Sequence, residues 1–126
     1  MSFKGKEVIV KLVGNAKESF IELNKKVGED IKKGIDKSQE KTLLNAINEK
    51  ADFLKDNPEF GKHIAKNKIP KEYIIDYQIN NLWKVNLPGA WRMLYTIKGE
   101  EINIFAIILD VLNHKEYDKK MKYKKS

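Results

Sequence analysis

The chain has 126 residues, with 25 Lys or Arg against 18 Asp or Glu and a formal net charge of +7. This length fits a single domain with one hydrophobic core, and the absence of cysteine excludes disulfides, thiolate metal sites and cysteine nucleophiles. The positive balance favours an anionic partner, either nucleic acid or an acidic protein, although AT-rich coding or a hot habitat also produces lysine-rich chains.

No segment of the sequence resembles a membrane anchor or a signal peptide. No apolar run approaches the roughly 18 residues of a spanning helix, and the first residues lead into no apolar stretch. We therefore expect residues 1–126 to form one cytoplasmic domain that does not enter a membrane.

The beginning of the chain predicts a strand followed by a helix. The β-branched run at residues 7–13 is typical of a strand that ends at Gly14. Asn15 can then cap a helix, because apolar residues recur after it at steps of three and four. Gly28 and Gly34 predict that this helix breaks within the stretch between them.

A second amphipathic helix is predicted after Ser38, its candidate N-cap. We expect it to end before Pro58, because the residue that precedes a proline avoids helical angles. For residues 59–78 we predict a short helix followed by a loop. Within that stretch, residues 61–71 contain four lysines and no acid.

The second half of the chain changes to the patterns typical of strands. Residues 82–87 alternate between apolar and polar, Pro88-Gly89 signals a turn, and residues 90–97 predict a second strand. The nearly continuous apolar run at 102–109 predicts a third strand that is buried on both faces. Turns this short imply an antiparallel meander, and residues 113–120 predict a final helix. The fold class is therefore α+β.

Several kinds of chemistry lack the residues they need. The two histidines, His63 and His114, lie far apart in the sequence, and no acidic cluster has the spacing of metal ligands. No glycine-rich phosphate loop occurs, and none of the four serines lies in a nucleophile-elbow context. We therefore expect neither a metal nor a cofactor, which leaves metal-free chemistry by Lys, Arg, His and Tyr, or binding alone.

Arg92 is the strongest single candidate, because the chain has 24 lysines and no other arginine. A guanidinium is planar, permanently charged and weakly hydrated, which suits phosphate binding in a partly buried site. The alternative is a structural arginine that pairs with a carboxylate or stacks on a Trp or Tyr ring. The sequence alone leaves both open.

Three further residues are candidates for the same site. Lys84 lies one strand earlier and shares a sheet face with Arg92 if the hairpin register allows it. His114 and Tyr117 are three residues apart, so on a helix they would share a face at the end of the last strand. The alternatives are a solvated lysine, a surface histidine and a tyrosine that anchors the last helix.

A set of lysines has the distribution expected of residues that follow a phosphate backbone. The set comprises Lys62, Lys66, Lys68, Lys115, Lys119 and Lys120. An ordinary solvated charge run explains each of them equally well.

Residues 79–120 combine these features in one order: Trp83-Lys84 on a strand, Trp91-Arg92 with Tyr95 on the next strand, an apolar strand, and a closing element from His114 to Tyr117. This order resembles the RelE/ParE superfamily of toxins from type II toxin–antitoxin systems. The family pattern joins an aromatic-Lys strand, a turn, a strand with the motif W/Y-R-x-x-Y, an apolar strand and an element that contains a histidine, a basic residue and a tyrosine.

The resemblance implies a RelE-like microbial RNase fold of the α+β class. In it, an N-terminal strand and a helical hairpin pack on one side of a curved antiparallel sheet, in the order β-α-α-β-β-β, followed by a short C-terminal helix. RelE-like members enter the ribosomal A site, where they contact mRNA and ribosomal RNA. They cut the mRNA without metal, by attack of a 2'-hydroxyl on the adjacent phosphate.

The resemblance also implies a role for each site residue by position. Arg92 would stabilise the phosphate, and Lys84 would act as a base or electrostatically. His114 would act as an acid or a base, and Tyr117 would orient the substrate or stack on it. The implied partner is a small, acidic cognate antitoxin.

This chain departs from the family pattern at two positions. Asn86 stands where some ribosome-cutting members have a second lysine, and no arginine follows the last strand, where Lys115 is the nearest substitute. Two alternatives therefore stay open: a ParE-like inhibitor of DNA gyrase without catalysis, and an inactive, basic RNA-binding member.

Overall fold

The computed structural model describes residues 2–122. Within these residues, the strands β1 to β6 are Ser2–Phe3, Lys6–Leu12, Lys62–Ile64, Leu82–Leu87, Trp91–Gly99 and Asn103–Leu112. The helices α1 to α4 are Gly14–Lys32, Gln39–Asp56, Lys71–Tyr77 and His114–Met121, and short 3-10 turns cover Lys66–Lys68 and Pro88–Ala90. None of these helices is long and apolar enough to cross a membrane.

The strands form one sheet in the order β1-β2-β6-β5-β4-β3. The predicted α+β class is confirmed, and β4, β5 and β6 form the predicted antiparallel meander. The sheet is nevertheless mixed, because β2 lies parallel to β6. The long connection between β2 and β6, which includes the helical hairpin, permits this parallel pairing.

The first helix begins at Gly14 rather than after a cap at Asn15. Val13 occupies the N-cap position and contributes no side-chain hydrogen bond. Gly14 has a φ of +49°, and a Cβ at this position would overlap the Tyr77 hydroxyl, so a glycine is required at the start of α1. The helix ends at Lys32, within the stretch where a break was predicted.

The second helix follows the sequence prediction, whereas the segment after it does not. Ser38 Oγ accepts a hydrogen bond from Lys41 N at 3.1 Å, and α2 ends at Asp56, before Pro58. Residues 59–78 then form a short strand, a 3-10 turn and a helix, and not the predicted helix followed by a loop.

Tyr95, in the middle of β5, determines the conformation of the chain that leads into β3. Its buried hydroxyl donates to the carbonyl oxygen of Pro58 at 2.6 Å and accepts from Gly61 N at 3.0 Å. Burial raises the pKa of Tyr95 to about 12. A Cβ on Gly61 would lie 2.6 Å from the carbonyl oxygen of Lys84, so glycine permits the close approach that brings β3 beside β4.

Each face of the sheet carries its own hydrophobic core. The helical hairpin covers the first face, with a core that includes Ile47, Leu54, Met93, Tyr95 and Ile108. α3 and α4 cover the second face, with a core that includes Tyr73, Leu82, Leu94, Leu109 and Tyr117. The hairpin therefore packs on one side of the sheet, as expected, and the C-terminal half of the chain supplies a second apolar layer on the other side. The predicted burial of the last strand on both faces holds for residues 108–112, whereas Phe105 and Ile107 are only partly buried and Ile102 lies exposed before the strand begins.

Candidate active site

The register of the central hairpin places Lys84 and Arg92 on the same face of the sheet. Lys84 pairs with Leu94, and Asn86 pairs with Arg92. Since side chains alternate along a strand, Lys84 and Arg92 are diagonal neighbours on the face that α4 covers. Both side chains are partly buried.

Tyr117 brings the two cations together. Lys84 Nζ lies 5.3 Å from the centroid of the Tyr117 ring, and Arg92 Cζ lies 5.6 Å from the same centroid. The tyrosine is 3% exposed, so its ring is the buried wall of this site. We refer to Lys84, Arg92 and Tyr117 as the cationic cluster.

A capping box fixes the helix that carries Tyr117. Glu116 N donates to Asn113 Oδ1 at 2.8 Å, and Asn113 N donates to Glu116 Oε1 at 3.0 Å. The helix therefore begins at His114, directly after β6. This start places Tyr117 one turn into α4, over the strands that carry Lys84 and Arg92.

The charges of the cationic cluster are not neutralised by the rest of the described chain. No carboxylate of residues 2–122 lies within 4.0 Å of Lys84 Nζ or of the Arg92 guanidinium. Arg92 Nη1 donates to the Trp91 carbonyl oxygen at 3.1 Å, while Arg92 Nε is buried and has no hydrogen-bond partner in this part of the chain. The arginine thus stacks on a tyrosine but does not pair with an acid, and an anion would complete the site.

His114 is close to this cluster in sequence but is oriented differently. Its side chain is 62% exposed, and His114 Nε2 lies 3.2 Å from Asp118 Oδ2. Tyr117, three residues later on the same helix, is buried, so these two neighbours on α4 differ in exposure. A spacing of three residues leaves the two side chains about 60° apart around the helix, and of the two only Tyr117 packs in the core against the sheet.

The structure separates the six lysines of the predicted phosphate-binding set. Lys62 lies opposite Lys84 in the β3–β4 pair, and Lys66 and Lys68 are exposed on the 3-10 turn. Lys115 and Lys119 are exposed on α4. Lys120 differs from the others: its Nζ lies 2.9 Å from Glu72 Oε2 and 5.3 Å from the centroid of the Tyr73 ring, so it fastens α4 to α3.

A buried carboxyl group, Asp110, lies near the contact between α3 and α4 and is not among the residues that the sequence singles out. Asp110 is 2% exposed in β6 and accepts a hydrogen bond from the Tyr73 hydroxyl. Burial raises the pKa of Asp110 above its ordinary value, and the hydrogen bond from Tyr73 opposes that effect. The sequence does contain an indication of its special position, because Asp110 is the only ionisable residue of β6. Its contacts indicate a structural role, since they join α3 to the sheet.

A large, open cleft lies away from the cationic cluster. It encloses about 860 Å³ between the start of α2 and the β4–β5 turn, and Trp91, Leu43 and Ser38 are among its lining residues. Trp91 packs on the core beneath the helical hairpin, so its side chain points away from the face that carries Arg92. This cleft contains none of the candidate catalytic residues.

No protein-family model, curated protein or solved structure matches this chain. Within residues 2–122, no three His, Asp or Glu side chains lie close enough together to hold a metal ion. Any function must therefore be inferred from the cationic cluster and its surroundings.

Proposed function

We propose that this protein is the toxin of a type II toxin–antitoxin pair and acts in the cytoplasm as a ribosome-dependent mRNA endoribonuclease. The observation that carries the proposal is the cationic cluster, in which Lys84 and Arg92 approach one tyrosine ring with no carboxylate beside them. Two partly buried, uncompensated cations form an anion site. The order of motifs in residues 79–120, which is similar to that of RelE-like toxins, supports mRNA as the source of the anion.

The reaction is an internal transfer of the phosphate group within the message. The 2'-oxygen forms a bond to the adjacent phosphorus, and the bond from phosphorus to the 5'-oxygen of the next nucleotide breaks. A base takes the proton of the 2'-hydroxyl, and an acid gives a proton to the departing 5'-oxygen. The products are a 2',3'-cyclic phosphate and a free 5'-hydroxyl, so no water or cofactor is consumed.

The candidate residues have distinct parts in this reaction. Arg92 stabilises the additional negative charge on the pentavalent phosphate, and Lys84 adds positive charge from the neighbouring strand. His114 is accessible to substrate, and the contact of its Nε2 with Asp118 Oδ2 orients the ring; we assign it the role of the acid that protonates the leaving oxygen. Tyr117 holds the two cations in place, and because its ring is only 3% exposed we assign it no contact with the message.

Expression in growing bacteria tests this function. We expect the wild type to arrest growth and primer extension to show new 5' ends within translated codons. Arg92→Ala should abolish both effects, whereas Lys98→Ala, which removes an exposed lysine on the same strand, should abolish neither. If a folded Arg92→Ala variant arrests growth and cuts message as the wild type does, the catalytic assignment is wrong.

Asn86 favours a second candidate function. It is exposed and lies directly opposite Arg92, at the position where some ribosome-cutting toxins have a second lysine. A toxin that lacks this cation is a candidate for a ParE-like, non-catalytic inhibitor of DNA gyrase. That function predicts growth arrest with intact message and induction of the DNA-damage response, which the same cultures would reveal.

A cognate antitoxin is expected for either toxin. The net charge of +7 favours a small acidic protein, and a helix of that protein would cover an apolar groove of the toxin. A short acidic reading frame that overlaps or adjoins this gene is the expected genomic arrangement.

A further inference from the structure

We propose that β3 and the 3-10 turn after it form a second phosphate-binding subsite for single-stranded RNA, continuous with the cationic cluster. The subsite consists of Lys62, Lys66 and Lys68. It extends the path of the RNA from β5 across β4 to the edge of the sheet. The identity of the ligand as RNA rests on the proposed function, whereas the existence of an extended anion path rests on the geometry alone.

The register of β3 places Lys62 beside the cationic cluster. Lys62 pairs with Lys84, and Ile64 pairs with Leu82. Ile64 is buried in the same core as Leu82 and Tyr117, so this side of β3 faces α4. Lys62 is two residues before Ile64 and therefore lies on that side too.

The spacing fits two different phosphates of one chain. β3 and β5 lie on either side of β4 with about 4.8 Å between adjacent strands, and Arg92 is displaced by two residues along β5 from the position opposite Lys84, so the backbones of Lys62 and Arg92 are about 12 Å apart. Lys84 lies between them on the central strand. The three cations thus follow an oblique path across the strands, in which Lys62 lies directly opposite Lys84 and Arg92 lies diagonal to it.

The charge of this segment is uncompensated, unlike that of several lysines elsewhere. Residues 60–71 contain no acid, and Lys62, Lys66 and Lys68 have no carboxylate of residues 2–122 within 4.0 Å. The nearest acid on the C-terminal side, Glu72, is already paired with Lys120 at 2.9 Å. By contrast, lysines on other elements do have acidic partners, namely Lys26, Lys55 and Lys98.

The subsite is held in a fixed position. The hydrogen bonds from Tyr95 to Pro58 and from Gly61 to Tyr95 fasten the chain just before Lys62. Ile64 and Ile69 are buried and hold both ends of the 3-10 turn against the second core. A preorganised row of cations loses less entropy when it binds a flexible RNA than a mobile lysine tail would.

The test is the affinity for a dye-labelled single-stranded RNA oligonucleotide, measured over a range of salt concentrations. The free oligonucleotide should stay intact, because the proposed cleavage requires the ribosome. For single strands, the slope of log affinity against log salt concentration falls by about 0.7 for each phosphate that the protein no longer neutralises. We expect Lys62→Ala to reduce the slope by about this amount, and the Lys66→Ala/Lys68→Ala double variant to reduce it further. Lys55→Ala and Lys98→Ala should leave the slope unchanged.

The outcomes separate this inference from the proposed function. If the wild type cuts translated message but Lys62→Ala binds RNA with the wild-type affinity and slope, the subsite is wrong and the function stands. If the wild type cuts no message but Lys62→Ala shows the reduced slope, the anion path stands and the function is wrong. A wild type with no measurable affinity for the oligonucleotide overturns the inference.

Discussion

The guanidinium carbon of Arg92 lies 5.6 Å from the centroid of the Tyr117 ring, and the Nε of the same arginine is buried without a hydrogen-bond partner in residues 2–122. An unsatisfied buried donor costs about 1–3 kcal/mol of stability. A structural arginine would be expected to use that donor in an ion pair. Nε itself is out of a ligand's reach, but the positive charge of the guanidinium has no acidic partner within residues 2–122, which favours an anionic ligand over a purely structural role.

Replacement of this arginine should separate stability from activity. We expect Arg92→Met to keep the free energy of unfolding within about 1 kcal/mol of the wild-type value, because removal of the unsatisfied donor offsets the missing hydrogen bond to the Trp91 carbonyl. Growth arrest should nevertheless be abolished. Urea denaturation measures the first quantity, and a decrease of more than about 2 kcal/mol would identify Arg92 as a structural residue.

Tyr117 should contribute to stability as well as to the site. Its ring is buried in the second core, so we expect Tyr117→Ala to reduce the free energy of unfolding by about 3–5 kcal/mol. Lys115→Ala, on the exposed side of the same helix, is the matched control and should change it by less than about 0.5 kcal/mol. Equal stability of the two variants would show that α4 does not pack on the sheet as described.

The stability of the protein should depend on the ionisation of Asp110. Because burial raises its pKa in the folded state, the folded protein retains this proton at pH values where the unfolded chain has released it. The contribution of Asp110 to stability is therefore present at low pH and is lost as the pH rises from about 4 through the folded-state pKa. Asp110→Asn cannot titrate but still offers an acceptor to the Tyr73 hydroxyl.

We thus expect Asp110→Asn to gain stability relative to the wild type as the pH rises from 4 to 7. Unfolding by urea at several pH values measures this difference. Other carboxyl groups contribute equally to both proteins, so parallel curves would contradict the assignment of a raised pKa to Asp110.

Tyr95 should fasten the edge of the sheet through its hydroxyl group. Tyr95→Phe leaves the Pro58 carbonyl and the Gly61 amide without a partner, and we expect a loss of about 1–3 kcal/mol in the free energy of unfolding. Gly61→Ala should also destabilise the protein, because its Cβ would press against the carbonyl oxygen of Lys84. Wild-type stability in both variants would show that these hydrogen bonds do not hold the start of β3 against the sheet.

The features that follow from short-range patterns could be predicted from the sequence. The alternation of side chains along residues 82–97 correctly divided them between the two faces of the sheet. Ser38 likewise marked the start of α2. The segment at 59–78 could not be predicted, because its first element is a strand that depends on pairing with β4 and on the hydrogen bond of Gly61 with Tyr95, which is 34 residues away. Likewise, nothing local to β2 indicates that it pairs with β6.

The sequence predicted which residues belong to the candidate site better than it predicted how they are arranged. The type and order of Lys84, Arg92 and Tyr117 pointed to a site, but their approach depends on the strand register and on the placement of α4. His114 was expected beside Tyr117, yet it lies on the exposed side of the helix, because only the packing of α4 decides which side faces the sheet. Lys62 gained its place beside Lys84 only through a strand that the sequence did not predict.

The most direct test of the proposed function uses purified ribosomes programmed with a message of known sequence. We expect the wild type to cut the codon in the A site and to leave a 2',3'-cyclic phosphate and a 5'-hydroxyl. Arg92→Lys keeps the positive charge but loses the planar guanidinium, which can donate two hydrogen bonds to one phosphate. The cleavage rate should therefore fall by about 10²-fold or more. An intact message after incubation with the wild type, or equal cleavage rates for the wild type and Arg92→Lys, would contradict the proposed mechanism.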